Sequence, residues 1–97
     1  MTYRLTPRAM ADIEAIGDHL SQVNPSAAMR LMQRMAARWE LLATQPFSGA
    51  QRTDLLAELR HIVVGEYVTF YRVDGRDILI LRVLHGRREI SDEDLQP

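Results

Sequence analysis

Leu59-Arg60-His61-Ile62-Val63-Val64-Gly65-Glu66-Tyr67-Val68-Thr69-Phe70-Tyr71-Arg72-Val73-Asp74-Gly75-Arg76-Asp77-Ile78-Leu79-Ile80-Leu81-Arg82-Val83-Leu84 decides the fold. The run is rich in Val, Ile, Leu, Tyr and Phe and is punctuated by two glycines, which predicts three strands: Leu59–Val64, Tyr67–Val73 and Asp77–Leu84. Gly65 and Asp74-Gly75 mark tight turns, so neighbouring strands run antiparallel. A turn centred on Asp74-Gly75 pairs Arg72 with Asp77, Phe70 with Leu79 and Val68 with Leu81, bringing opposite charges and matched apolar side chains together. Strand alternation then puts Val68, Phe70, Leu79, Leu81 and Val83 on one face. Tyr67, Tyr71, Ile78, Ile80, Arg82 and Leu84 take the other.

Upstream, the period changes from two to that of a helix. Thr6-Pro7 is a cap followed by a proline at the first helical position, and Ala9, Ile13, Ile16 and Leu20 recur behind it at helical spacing. Asn24-Pro25 repeats the signal and opens a second helix with the stripe Ala28, Leu31, Met35, Trp39 and Leu42. A connection of two to four residues around Gln22–Asn24 leaves only an antiparallel helical hairpin. Thr2–Leu5 reads as a short first strand. Pro46-Phe47-Ser48-Gly49 ends the second helix, and Thr53–Glu58 holds at most one helical turn. The expected architecture is a single α+β domain over residues 1–97, in two layers. The helical hairpin covers the face of Val68, Phe70, Leu79, Leu81 and Val83 on a mostly antiparallel sheet of about four strands. The opposite face stays apolar and rimmed by charge, the usual mark of a binding surface, with Tyr67, Tyr71, Ile78 and Ile80 as its contacts.

Composition removes several function classes. There is no cysteine, which excludes disulfides and thiolate metal sites. His19, His61 and His85 lack metal-ligand spacing, so no metal site is expected. Trp39 and the methionines at 29, 32 and 35 belong to a helical stripe, which makes them packing residues rather than a cofactor box; no cofactor is expected. A net charge of −1 argues against a domain that grips phosphates along a nucleic acid, and direct DNA binding is not expected. No apolar run approaches the roughly 20 residues of a membrane span, and the first residues carry no apolar leader, so the expected compartment is the cytoplasm.

Several segments, in order, carry a family resemblance across Tyr3 to about Glu89: Leu5-Thr6-Pro7-Arg8-Ala9 with Asp12-Ile13, Asn24-Pro25-Ser26-Ala27-Ala28, and Pro46-Phe47-Ser48-Gly49. Leu59-Arg60 follows, then Gly65-Glu66-Tyr67-Val68-Thr69-Phe70-Tyr71-Arg72-Val73, and finally Ile78-Leu79-Ile80-Leu81-Arg82-Val83-Leu84-His85-Gly86-Arg87-Arg88. With these motifs the chain resembles a ParE-type toxin of the RelE/ParE toxin–antitoxin superfamily. The resemblance implies two helices on a mostly antiparallel sheet, with the first strand joining the edge beside the strands that follow the helices. It also implies one of two modes of action: ParE-like members block DNA gyrase, whereas RelE-like members cleave messenger RNA on the ribosome.

RNA cleavage needs proton-transfer groups and cations that stabilise developing charge. RelE-like members are similar in placing an Arg after the Gly-Asp-Tyr of the third strand, a cation after the last strand and a Tyr near the C-terminus. Here the first position is Val68, and no tyrosine follows Tyr71. The resemblance therefore implies a non-enzymatic, ParE-like toxin with no catalytic residues, DNA gyrase as its target and a cognate ParD-like antitoxin as its partner. Its expected target-binding corner is His85, Arg87 and Arg88, reinforced by Arg82 and Arg60. Its expected antitoxin contacts are Tyr67, Tyr71, Ile78 and Ile80, or the helical groove beside them. The alternatives are a RelE-like endoribonuclease and a non-toxic antitoxin-binding relic. His85 has a plainer reading as a strand-end residue bonded to backbone, and Arg87-Arg88 as solvated turn charges. The tail Ser91-Asp92-Glu93-Asp94 is either a solubilising end or a segment folded back on Arg87 and Arg88.

Overall fold

The computed structural model describes residues 1–96. Strand β1 (Thr2–Leu5) leads into helix α1 (Pro7–Val23) and helix α2 (Pro25–Thr44). The two-residue strand β2 (Ala50–Gln51) follows, then β3 (Arg60–Val64), β4 (Tyr67–Asp74) and β5 (Asp77–His85), and a 3-10 turn at Asp92–Leu95. The sheet order is β1-β5-β4-β3-β2, with β1 parallel to β5 and every other pair antiparallel. Among the described residues no helix is long and apolar enough to cross a membrane.

Both helix starts behave as their sequences predict. Thr6 Oγ1 accepts from the Ala9 N–H at 3.1 Å and donates to the Leu81 carbonyl at 2.8 Å, so one buried hydroxyl starts α1 and ties it to β5. Asn24 is the whole interhelical connection, tighter than the two to four residues expected. Its N–H closes α1 on Leu20 O, and its side chain accepts from Ala27 N to open α2. The α2 stripe Ala28, Leu31, Met35, Trp39 and Leu42 is buried throughout. A fully buried side chain of this class contributes about 1.5–3 kcal/mol, against a few tenths for most helix-propensity differences. Burial of that face therefore sets the rotation of α2.

Three expectations about the sheet are corrected. The β4–β5 loop is Gly75-Arg76 rather than Asp74-Gly75, so Arg72 lies opposite Leu79 and Asp74 opposite Asp77. The left-handed residue is Gly75, φ +62, and it stands first of the two loop residues, where a type II′ hairpin needs it. Beyond Tyr71↔Ile80 the pairing resumes at Phe70↔Arg82, which leaves Leu81 as an extra residue. This bulge moves Val83 to the face of Ile78 and Ile80, and Leu84 to the face of Leu79 and Leu81.

The third correction concerns which face the helices cover. The hairpin packs on Ile62, Val64, Tyr71, Ile78, Ile80 and Val83, the face expected to be open. Both faces of these strands are apolar, so alternation groups the side chains but does not say which group meets the helices. The other face is not bare either. Leu59, Phe70, Leu81 and Leu84 are closed over by Leu55 and Leu56 of the connecting loop and by Ile90 and Leu95 of the tail. Residues 53–58 form turns, in which the Leu55 and Leu56 N–H groups both donate to Arg52 O, and Glu58 sits at φ +63.

Candidate functional site

At the end of β5 the chain hooks onto the β3–β4 hairpin. Tyr67 pairs with His85 in register, and their rings meet edge to face with centroids 5.3 Å apart. The Gly86 N–H donates to Glu66 O at 2.8 Å, and the Arg88 N–H to His85 O at 3.0 Å. A Cβ on Gly86 would lie 3.3 Å from Glu66 O, so a small residue lets the two turns approach. His85 Nδ1 accepts from the Arg87 N–H at 3.1 Å, which leaves Nε2 facing the Glu66 carboxylate at 3.6 Å. Val63, Glu66, Val68, His85 and Arg87 line an open hollow of about 360 Å³. His85 thus bonds to backbone through one nitrogen, its plainer reading, and presents the other at the surface.

The five expected target contacts do not gather in one place. His85 and Arg87 share the hollow, whereas Arg88 turns away to the Asp94 carboxylate at 2.6 Å. The tail therefore folds back on Arg88, one of its two sequence alternatives. Arg82 is corrected from surface cation to buried strut. Beyond the end of β1 it meets Asp12 of α1 at 2.7 and 2.9 Å and the Asp94 carbonyl at 2.8 Å. Arg60 stands at the far end of β3, four residues from Val64, or roughly 13 Å at the strand rise. There it donates to the carbonyls of Phe47 and Gly49 at 3.0 and 2.8 Å and covers the Phe47 ring.

Of the four expected antitoxin contacts, Tyr71, Ile78 and Ile80 are completely buried beneath the helices and offer no surface. The correction follows from the reversed faces. Tyr71 is instead a latch: its hydroxyl donates to Pro46 O and accepts from Gly49 N, both at 2.9 Å. Burial pushes its phenol pKa up and keeps that donor protonated. Tyr67 alone of the four is half-buried and borders the corner.

The family model for the ParE toxin of type II toxin-antitoxin system, parDE, matches residues 3–90. The chain belongs to this ParE toxin family. It is 39% identical over 83 residues to Toxin RelE2 of Caulobacter vibrioides, covering 86% of this chain and 92% of that protein. A chain of the chromosomal ParDE toxin–antitoxin system of P. aeruginosa superposes with a TM-score of 0.75 at 27% identity, covering 88% and 95%. The RelBE2 toxin-antitoxin complex of Mycobacterium tuberculosis supplies a second neighbour, with a TM-score of 0.58 at 24% identity, covering 87% and 95%; that likeness is one of fold.

Within this ParE-family toxin, sequence reasoning missed Glu66 and Asp12. Glu66 was within reach, because a tight turn at Gly65-Glu66 puts it beside whatever follows β5. Asp12 was read only as part of the polar side of α1. Nothing in the spacing of residues 12 and 82 signals a pair that forms across 70 positions.

Proposed function

We propose that this toxin acts by binding its target, DNA gyrase, through the corner of His85 and Arg87, and that a cognate ParD-like antitoxin neutralises it. The observation that carries the non-enzymatic reading is Val68, an apolar side chain in the hollow where RNA cleavage would require a cation. Around it, His85 has one nitrogen occupied by backbone, Glu66 is acceptor-only when ionised, and no tyrosine follows Tyr71. Arg87 is exposed and free to meet a partner's acids. Exposed charges of this kind steer encounter and set specificity. Gyrase as the target comes from the ParE resemblance.

RNA cleavage is the second reading, favoured by the facing His85 and Glu66 and by the name of the RelE2 relative. Purified toxin separates the two when added in parallel to a gyrase supercoiling reaction and to a cell-free translation extract. Inhibition of supercoiling with translation intact is the expected result. Discrete, ribosome-dependent messenger cleavage would replace this reading with the second.

A further inference from the structure

On the sheet face away from the helices, a pocket of about 270 Å³ opens between the connecting loop, β4, β5 and the C-terminal turn. Leu56, Leu59, Leu81 and Leu95 form its apolar walls, Gln96 lies at its rim and Arg72 along one side. Arg72 Nε is buried with no hydrogen-bond partner, and Arg72 forms no ion pair among the described residues. A buried N–H on a charged group is costly unless an acceptor reaches it.

Asp54, Asp74 and Asp77 are committed elsewhere. Asp54 is held by Arg52 at 3.0 Å, and Asp74 and Asp77 both meet Arg4 at 3.3 Å. Glu58 lines the adjoining hollow with Arg60. None of the described residues supplies an acceptor for Arg72 Nε. The planar guanidinium fork matches a carboxylate better than any neutral acceptor. The volume falls below the roughly 300 Å³ at which small-molecule pockets begin, so it suits one or two side chains.

The geometry points to a docking site for an acidic peptide: a partner's Glu or Asp carboxylate on Arg72, with the apolar residue beside it against Leu56 and Ala57. The floor is anchored: Leu95 is fully buried and belongs to a four-residue turn held by Arg8 on the carbonyls of Glu93 and Gln96 and by Arg82 on that of Asp94. The site is also separate from the corner, because Arg72 and Tyr67 are five residues apart on β4, or about 17 Å. The antitoxin is the natural source of such a segment; that assignment rests on the proposed function, whereas the chemistry of the pocket does not.

The test is amide NMR on the full chain with three probes: acetyl-Leu-Glu-Leu amide, its Gln counterpart, and 4-methylpentanoate. The Glu peptide is expected to shift the signals of Leu56, Leu59, Leu81 and Leu95 saturably. The Gln peptide should bind at least tenfold more weakly, and Arg72→Gln should lose the effect while its remaining spectrum overlays the wild type. If Arg72→Gln does not fold, Arg72→Lys, which keeps the charge but not the fork, should bind several-fold more weakly. Equal binding of both peptides, no shifts with either, or undiminished binding by the variant overturns the site. Binding of 4-methylpentanoate alone overturns the peptide in favour of a small-molecule acid. Neither gyrase inhibition nor toxicity enters the measurement, so its failure leaves the proposed function standing, and the reverse also holds.

Discussion

Arg82 and Asp12 form a two-pronged ion pair across 70 positions, Nε to Oδ2 at 2.7 Å and Nη2 to Oδ1 at 2.9 Å, with both side chains nearly out of solvent. Asp12 also accepts from the Val83 N–H at 3.0 Å, and Arg82 reaches the Asp94 carbonyl, so the pair joins α1, β5 and the tail. Removing one partner leaves the other charge buried, which costs about 3–5 kcal/mol. Asp12→Ala should lose that much in urea unfolding. The double variant Asp12→Leu with Arg82→Met should lose clearly less than the two single losses added together. Additive losses would show that the two residues are not coupled.

Two glycines should respond in opposite directions to the same methyl group. A Cβ on Gly49 would lie 2.5 Å from the Tyr71 hydroxyl and 2.8 Å from the His61 carbonyl, inside the latch. Gly49→Ala should cost at least the ~1–3 kcal/mol typical of overpacking. Gly17 lies inside α1 with nothing within 4 Å of its Cβ position, and Gly17→Ala should gain about 0.5–1 kcal/mol. Thermal melts of both variants check the pair of signs.

His61 should make stability depend on pH near neutrality. Burial lowers its pKa, the Arg52 cation lowers it further and the Asp54 carboxylate opposes them; the ring packs on Phe70 with Nδ1 unpartnered. The folded protein thus holds the imidazole neutral where the unfolded chain, titrating near about 6.5, takes up a proton. The stabilisation is complete above that value and is lost as pH falls from it toward the lower folded value. His61→Leu should flatten the melting temperature between about pH 7.5 and 5.5. The lowered pKa values of Asp77 and Asp94 act in a separate window, below about pH 4. A wild-type curve already flat through the upper window would contradict the assignment.

Much of the fold was legible because its signals are local. Thr6-Pro7 and Asn24-Pro25 mark both helix starts, the α2 stripe from Ala28 to Leu42 marks its buried face, and Gly65 and Gly75 mark the hairpins. What failed depends on long-range choice. Two apolar faces gave no sign of which one meets the helices, so Tyr71, Ile78 and Ile80 were placed on the wrong side. Leu81 bulges where β1 ends and α1 begins, a junction no alternation rule contains. The two-residue β2 is too short to carry a period. At the candidate site, chain order placed His85 and Arg87 beside one hollow, but charge alone could not separate Arg87, which is exposed, from Arg82, which is buried against an acid 70 positions away.

The central claim is most directly tested by titrating a fixed amount of gyrase in a supercoiling reaction with wild-type toxin and with Arg87→Ala. Arg87 is exposed and outside every cap and buried network, so the variant should melt within about 0.5 kcal/mol of the wild type. Wild-type toxin should inhibit at stoichiometric rather than catalytic ratios, and Arg87→Ala should need at least tenfold more protein, about 1.4 kcal/mol of lost binding. Undiminished inhibition by a folded Arg87→Ala, or no inhibition of supercoiling by the wild type at any ratio, would contradict the account.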